Sequence, residues 1–132
     1  MPEAGRPDDS LGLAAALAEA AESKLASEVT VLDMRGLVSY TDYLVICSAR
    51  NERQAEAIVD EVHRAMKHDH GLLPVNPGRN SSNDWTVLDY LDTVLHVFTG
   101  DARATYDLED LWYEAPRVGV GTGSGEGETA AG

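Results

Sequence analysis

Asp42-Tyr43-Leu44-Val45-Ile46-Cys47-Ser48 sets apolar side chains at five consecutive positions, and Asn51-Glu52-Arg53-Gln54, just beyond it, starts a different rhythm. Successive side chains of a strand point to opposite faces, so an unbroken apolar run predicts a central strand at 42–48 with both faces covered. In the second stretch an Asn side chain can accept the amide three residues on while Gln54 reaches back, a capping-box arrangement. Ala55, Ile58, Val59, Val62 and Met66 then recur on one helical face. The spacing predicts a helix over 52–68, stopped by Gly71. A doubly buried strand feeding an amphipathic helix places the chain among folds that layer helices on a sheet.

Working outward toward the N-terminus, Leu11, Ala14, Ala15, Ala18, Ala21 and Leu25 fall at helical spacing behind Ser10, which predicts a helix over 11–26 with Ser10 accepting its first free amides. Residues 28–33, Glu-Val-Thr-Val-Leu-Asp, are rich in β-branched side chains and end at Arg35-Gly36, so they read as a strand. Toward the C-terminus, 74–83 is dense in turn formers and reads as a mobile loop. Two β-type runs, 85–91 and 93–99, are separated by almost nothing and predict an antiparallel hairpin turning near Tyr90-Leu91-Asp92, with Val94, His96 and Phe98 on one face and Leu95 and Val97 on the other. Ala104, Leu108 and Leu111 predict a closing helix over 101–111. The expected fold is α/β (α+β): a mixed sheet of about four to five strands flanked by helices. It fills residues 11–116, after a flexible start at 1–10 and before an acidic, glycine-rich tail at 117–132 that should be disordered, since from Gly119 on it has nothing to bury.

At 132 residues the chain has room for one domain. Ten Lys and Arg against 23 Asp and Glu give a net charge of −13, which repels bare phosphate backbones and anionic lipid and disfavours direct nucleic-acid or membrane binding. The same field favours a basic partner, although acidity also serves solubility alone. No apolar run approaches the roughly 18 residues that span a bilayer. The single cysteine, Cys47, sits inside the central strand, excludes an intramolecular disulfide and fits a reducing compartment.

Candidate chemistry thins out under inspection. His63, His68 and His70 cluster at the end of the second helix without the spacing of a coordination sphere, and His96 lies in a strand between Leu95 and Val97, where a core or sheet-surface role competes with that of a general base. Ser48, Ser81 and Ser82 lack a nucleophile-elbow context, and Ser48-Ala49-Arg50-Asn51 has no glycine to let backbone amides cradle a phosphate. Two-metal chemistry needs carboxylates two apart on a strand. Asp107/Glu109 falls in the expected closing helix, Glu126/Glu128 in the tail, and Asp89 and Asp92 are three apart across a turn. No catalytic residue, metal or cofactor is expected. What remains is Trp85-Thr86-Val87-Leu88-Asp89-Tyr90 and Tyr106-Asp107-Leu108-Glu109-Asp110-Leu111-Trp112, aromatics interleaved with acids, which read equally as core with a solvated rim or as an interface with anchors and steering charges.

Six segments in order resemble the iojap family of ribosomal silencing factors: Val31-Leu32-Asp33, Thr41-Asp42-Tyr43-Leu44-Val45-Ile46, Asn51-Glu52-Arg53-Gln54, Trp85-Thr86-Val87-Leu88-Asp89-Tyr90, Leu95-His96-Val97-Phe98, and Arg103-Ala104-Thr105-Tyr106-Asp107-Leu108-Glu109-Asp110-Leu111-Trp112. The resemblance implies a nucleotidyltransferase-like fold without the metal-binding carboxylates. It implies a cytoplasmic protein, often a homodimer when free, that binds the large ribosomal subunit through ribosomal protein L-fourteen and sterically blocks joining of the small subunit, repressing translation when nutrients are scarce. On this reading Trp85, Asp89, Tyr90, Asp92, Tyr106 and Trp112 are the candidate partner contacts, and the protein is no enzyme. The alternatives are a degenerate nucleotidyltransferase that still binds a nucleotide near Ser48 and the start of the second helix, and a large-subunit assembly factor. Two departures from the family pattern stand out. Pro77-Gly78 replaces an acidic residue followed by Gly in the loop, and Leu91 stands at the hairpin turn where Gly is common, which implies a different turn geometry because Leu resists positive φ.

Overall fold

A computed structural model describes residues 10–75, 80–82 and 84–119. The elements run α1 (Ser10–Ser23), β1 (Ser27–Asp33), β2 (Tyr43–Ala49), α2 (Glu52–His70), β3 (Asn80–Ser82), β4 (Trp85–Asp89), β5 (Thr93–Thr99), α3 (Ala102–Tyr106) and α4 (Leu108–Leu111). The five strands form one sheet in the order β1-β2-β5-β4-β3. Its central pair, β2 and β5, is parallel from Tyr43↔Thr93 to Ala49↔Thr99, and the other pairings are antiparallel. The mixed sheet and the interior position of β2 follow from that strand's double-sided apolarity: six of its seven residues are buried.

The strand period divides the core in two. Val45, Cys47, Leu88, Leu95 and Val97 face α1 and α2 and pack with Leu13, Leu17, Ile58, Val62 and Met66. Leu32, Met34, Leu44, Ile46, Val94 and Phe98 face the other way and pack with Ala102, Ala115 and the partly buried Val38, Trp85, Val87, Leu108 and Trp112.

Local chemistry sets the boundaries. Asn51 caps α2 by accepting the Gln54 amide at 2.8 Å. The Gln54 side chain accepts the Arg50 amide at 2.6 Å and donates to the Lys24 and Leu25 carbonyls, tying the start of α2 to the end of α1. Gly71 ends α2 at φ 67°. Helix α1 stops at Ser23, three residues short of expectation. Leu25 takes φ 67° and the Ala26 amide reaches back to the Ala21 carbonyl, a Schellman-type end built without glycine. Ser10 is the first helical residue, and its hydroxyl donates to Asp42 at 2.6 Å.

Four further expectations need correction. Residues 80–82, read as loop, form a short edge strand on β4; residues 76–79, including Pro77-Gly78, lie outside the described residues. Leu91 does adopt φ 71°, with the Asp92 amide on the Tyr90 carbonyl and the Leu91 amide on the Asp89 carboxylate, so the turn keeps the conformation that glycine would favour. The closing helix is broken into α3 and α4 by Asp107 at φ 48°, whose side chain caps α4 through the Asp110 amide. The chain past Pro116 stays on the sheet: the Asp33 amide donates to the Pro116 carbonyl and the Val118 amide to the Val31 carbonyl, so ordered structure reaches Val118. Of the start expected to be flexible, 1–10, residues 1–9 lie outside the described residues, as does the tail from Val120 on.

Candidate interaction face

Side chains two apart on a strand share a face, so Trp85, Val87 and Asp89 of β4 stand beside Val94, His96 and Phe98 of β5 on the side away from α1 and α2. The one-turn helix α3 brings Tyr106 onto this row. Its ring centroid lies 4.5 Å from that of Trp85, while Trp85 is 5.3 Å from Phe98 and 5.9 Å from His96. Phe98 is fully buried at the floor; Trp85, Val87 and His96 are half-buried; Tyr106 is 44% exposed. Leu91 at the turn, Leu111 at the end of α4 and Tyr113 just past it are 59%, 63% and 76% exposed.

The six expected contact residues therefore separate. Trp85 and Tyr106 form the aromatic centre of this face. Asp89 lies at its edge, accepting the Leu91 amide at 2.8 Å, and Asp92 occupies the turn, where its carbonyl receives the Asp42 and Tyr43 amides. Trp112 is half-buried against the second core cluster. Tyr90 does not belong with them. It is 5% exposed, points to the opposite side of the sheet and packs in the α1/α2 core, so it offers no surface to a partner. Burial pushes its hydroxyl pKa up to about 12, and that oxygen has no hydrogen-bond partner among the described residues. Val87 and His96 share this face without being among the expected contacts; period-2 counting from Trp85 would have found Val87.

Electrostatics reinforce the geometry. Residues 84–114 hold eight carboxylates (Asp84, Asp89, Asp92, Asp101, Asp107, Glu109, Asp110, Glu114) and one cation, Arg103, so 1 − 8 gives −7. Arg103 is spent internally: it grips Glu109 with two hydrogen bonds of 3.1 and 2.8 Å and donates to Ser48 and Thr30, its side chain 12% exposed. Those hydrogen bonds hold the Glu109 carboxyl below the usual glutamate range. His96 is pushed down to about 4, chiefly by burial, and stays neutral at physiological pH.

Beyond the carboxyl ends of the parallel strands, where open sheets commonly take ligands, a cleft of about 570 Å³ is lined by Ser48, Arg50, Gly100, Asp101, Arg103 and Glu109 among others. Its buried guanidinium already faces Glu109, its serine hydroxyl already accepts from Arg103, and the Arg50 amide is taken by Gln54. Among the described residues no group of three or more His, Cys, Asp or Glu is placed to hold a metal. No helix among them is long and apolar enough to cross a membrane. Cys47 is buried, its thiol pKa pushed up to about 12 by that burial.

Comparison with known proteins decides the family. The profile described as "Ribosomal silencing factor during starvation" matches residues 7–131. The chain belongs to the ribosomal silencing factor family. It is 34% identical over 99 residues to the ribosomal silencing factor RsfS of Halalkalibacterium halodurans, covering 75% of this chain and 84% of that protein. It is 33% identical over 99 residues to the RsfS of Bacillus subtilis, 75% and 83% covered. The crystal structure of a Chromobacterium violaceum protein, 24% identical, shares the fold with a TM-score of 0.70 over 88% of this chain and 96% of that one. The ribosomal silencing factor family is named for regulation and not for a reaction.

Proposed function

We propose that the chain is a cytoplasmic repressor of translation that docks the Trp85 face on the large ribosomal subunit, at ribosomal protein L-fourteen, and so occupies a surface the small subunit needs. The observation that carries this reading is the half-exposed Trp85–Tyr106 pair set in a segment of charge −7 whose only cation is turned inward. Aromatic rings supply desolvated area, and carboxylates steer the encounter with a basic partner. Ribosomal proteins present such basic surfaces, and the choice of L-fourteen rests on the family resemblance. The mechanism is steric, so inhibition equals occupancy and no substrate or cofactor is required. Homodimerisation of the free chain belongs to the same reading, with a second copy as a competing partner.

The test is co-sedimentation with separated subunits, followed by a joining assay. The chain pellets with the large subunit, not the small one, and suppresses joining in proportion to the amount bound. The affinity falls as salt is raised, because charges on apposed surfaces are screened within about 10 Å at 0.1 M ionic strength. Pelleting with the small subunit alone, or occupancy of the large subunit that leaves joining untouched, contradicts the proposal.

A further inference from the structure

The Trp85 indole N–H donates to Nδ1 of His96, at 3.1 Å in a part-buried setting. The indole nitrogen is a donor only, so Nδ1 must present its lone pair, and the neutral imidazole carries its proton on Nε2. The bond runs between strands: Trp85 pairs with Phe98 and Val87 with His96, so the two rings are diagonal neighbours on one face. His96 and Phe98 stack at 13° between planes, 6.4 Å apart, and Trp85 leans on both. A half-buried tryptophan on a strand could otherwise rotate about its side-chain torsions toward solvent; here its one polar atom is tethered to the sheet, and its other side meets Tyr106.

We propose that His96 is a positioning residue of the docking face: its neutral imidazole accepts the Trp85 indole N–H and holds that ring, against Phe98 and Tyr106, in the pose the ribosomal partner meets. A ring held in its bound pose loses less freedom on docking, and that difference appears as affinity. This role rests on the docking reading above. The lowered pKa of His96 agrees with it, since the neutral form is the one that can accept.

The experiment combines nitrogen-15 resonance of the full chain with large-subunit co-sedimentation, for wild type, His96→Leu, His96→Gln and Trp85→Ala. In the wild type the imidazole nitrogens report the Nε2–H tautomer at neutral pH, a reading that needs no variant; a protonated Nδ1 overturns the proposal. His96→Leu shifts the indole N–H resonance of Trp85 to that of a solvent-exposed indole while melting remains cooperative, and weakens large-subunit binding about tenfold. His96→Gln, whose side-chain oxygen can accept, restores most of both. If Trp85→Ala abolishes binding while folded His96→Leu binds like the wild type, the positioning role fails and the docking reading stands. If Trp85→Ala binds like the wild type, the docking reading fails, and the positioning role with it.

Discussion

The two faces of the sheet put their apolar residues to different uses. On one side α1 and the 19-residue α2 lie across β2 and β5, and residues from Leu13 to Val97 close over one another until even Tyr90 is sealed in. On the other side the cover is α3 and α4, five and four residues long, and Trp85, Val87 and Trp112 remain half-buried. Apolar area removed from water stabilises the chain at about 25 cal/mol per Å², and area left at the surface stabilises only what docks there. Both faces therefore hold core, and on the docking proposal above the thinly covered part of the second is the part left to recognise a partner.

If that division is right, damage to the first face should appear as lost stability and damage to the second as lost binding. The largest effect is expected from Ile58→Ala, which removes a fully buried side chain beneath α2; unfolding in urea should show a loss of about 2–5 kcal/mol, while the folded fraction keeps its affinity for the large subunit. A parallel loss of affinity would dissolve the distinction between the faces.

Next comes the anchor of the thin cover on the second face. Arg103→Leu leaves Glu109 without its bidentate partner and releases α3 from Ser48 and Thr30, at a cost of about 2–3 kcal/mol. The pH dependence has a definite sign. Because the folded Glu109 carboxyl sits below its ordinary value of 4.5, the pair contributes its stability above that pH and loses it as pH falls below. Acid unfolding of the variant should be flatter in that window than that of the wild type, and identical profiles would remove the pair from the account.

The smallest effect concerns the rim. Leu91 holds φ 71° with its side chain mostly in water, so Leu91→Gly relieves about 1 kcal/mol of backbone strain and gives part of it back through the freedom of the unfolded chain. Thermal melting should rise slightly; a clear fall would mean that Leu91 packs against something it does not touch here.

Much of this was legible in the residues. The unbroken apolar run at 43–47 and the capped stripe after Asn51 announced an interior strand and the helix that covers it, because burial on both faces and a 3.6-residue stripe each leave a direct imprint. Three of the failures share a cause. Leu25, Leu91 and Asp107 take left-handed backbone conformations without being glycine, so tertiary context set the end of α1, the hairpin turn and the break between α3 and α4 without a mark in composition. Tyr90 is a different failure. It adjoins Asp89 on a strand, and neighbours on a strand point apart, so grouping the two on one surface neglected a rule the sequence already offered. The partner of the Trp85 indole could not be read at all, since which histidine nitrogen faces which ring is decided only once β4 and β5 are in register.

The central claim, that the thinly covered face is the one that docks, is tested most directly by hydrogen exchange and side-chain footprinting of the chain alone and bound to the large ribosomal subunit. Protection should concentrate on Trp85, Val87, Tyr106 and the turn at Leu91, with α1 and α2 unchanged. Protection concentrated on the outer surfaces of α1 and α2, with Trp85 and Tyr106 as reactive as in the free chain, would contradict it.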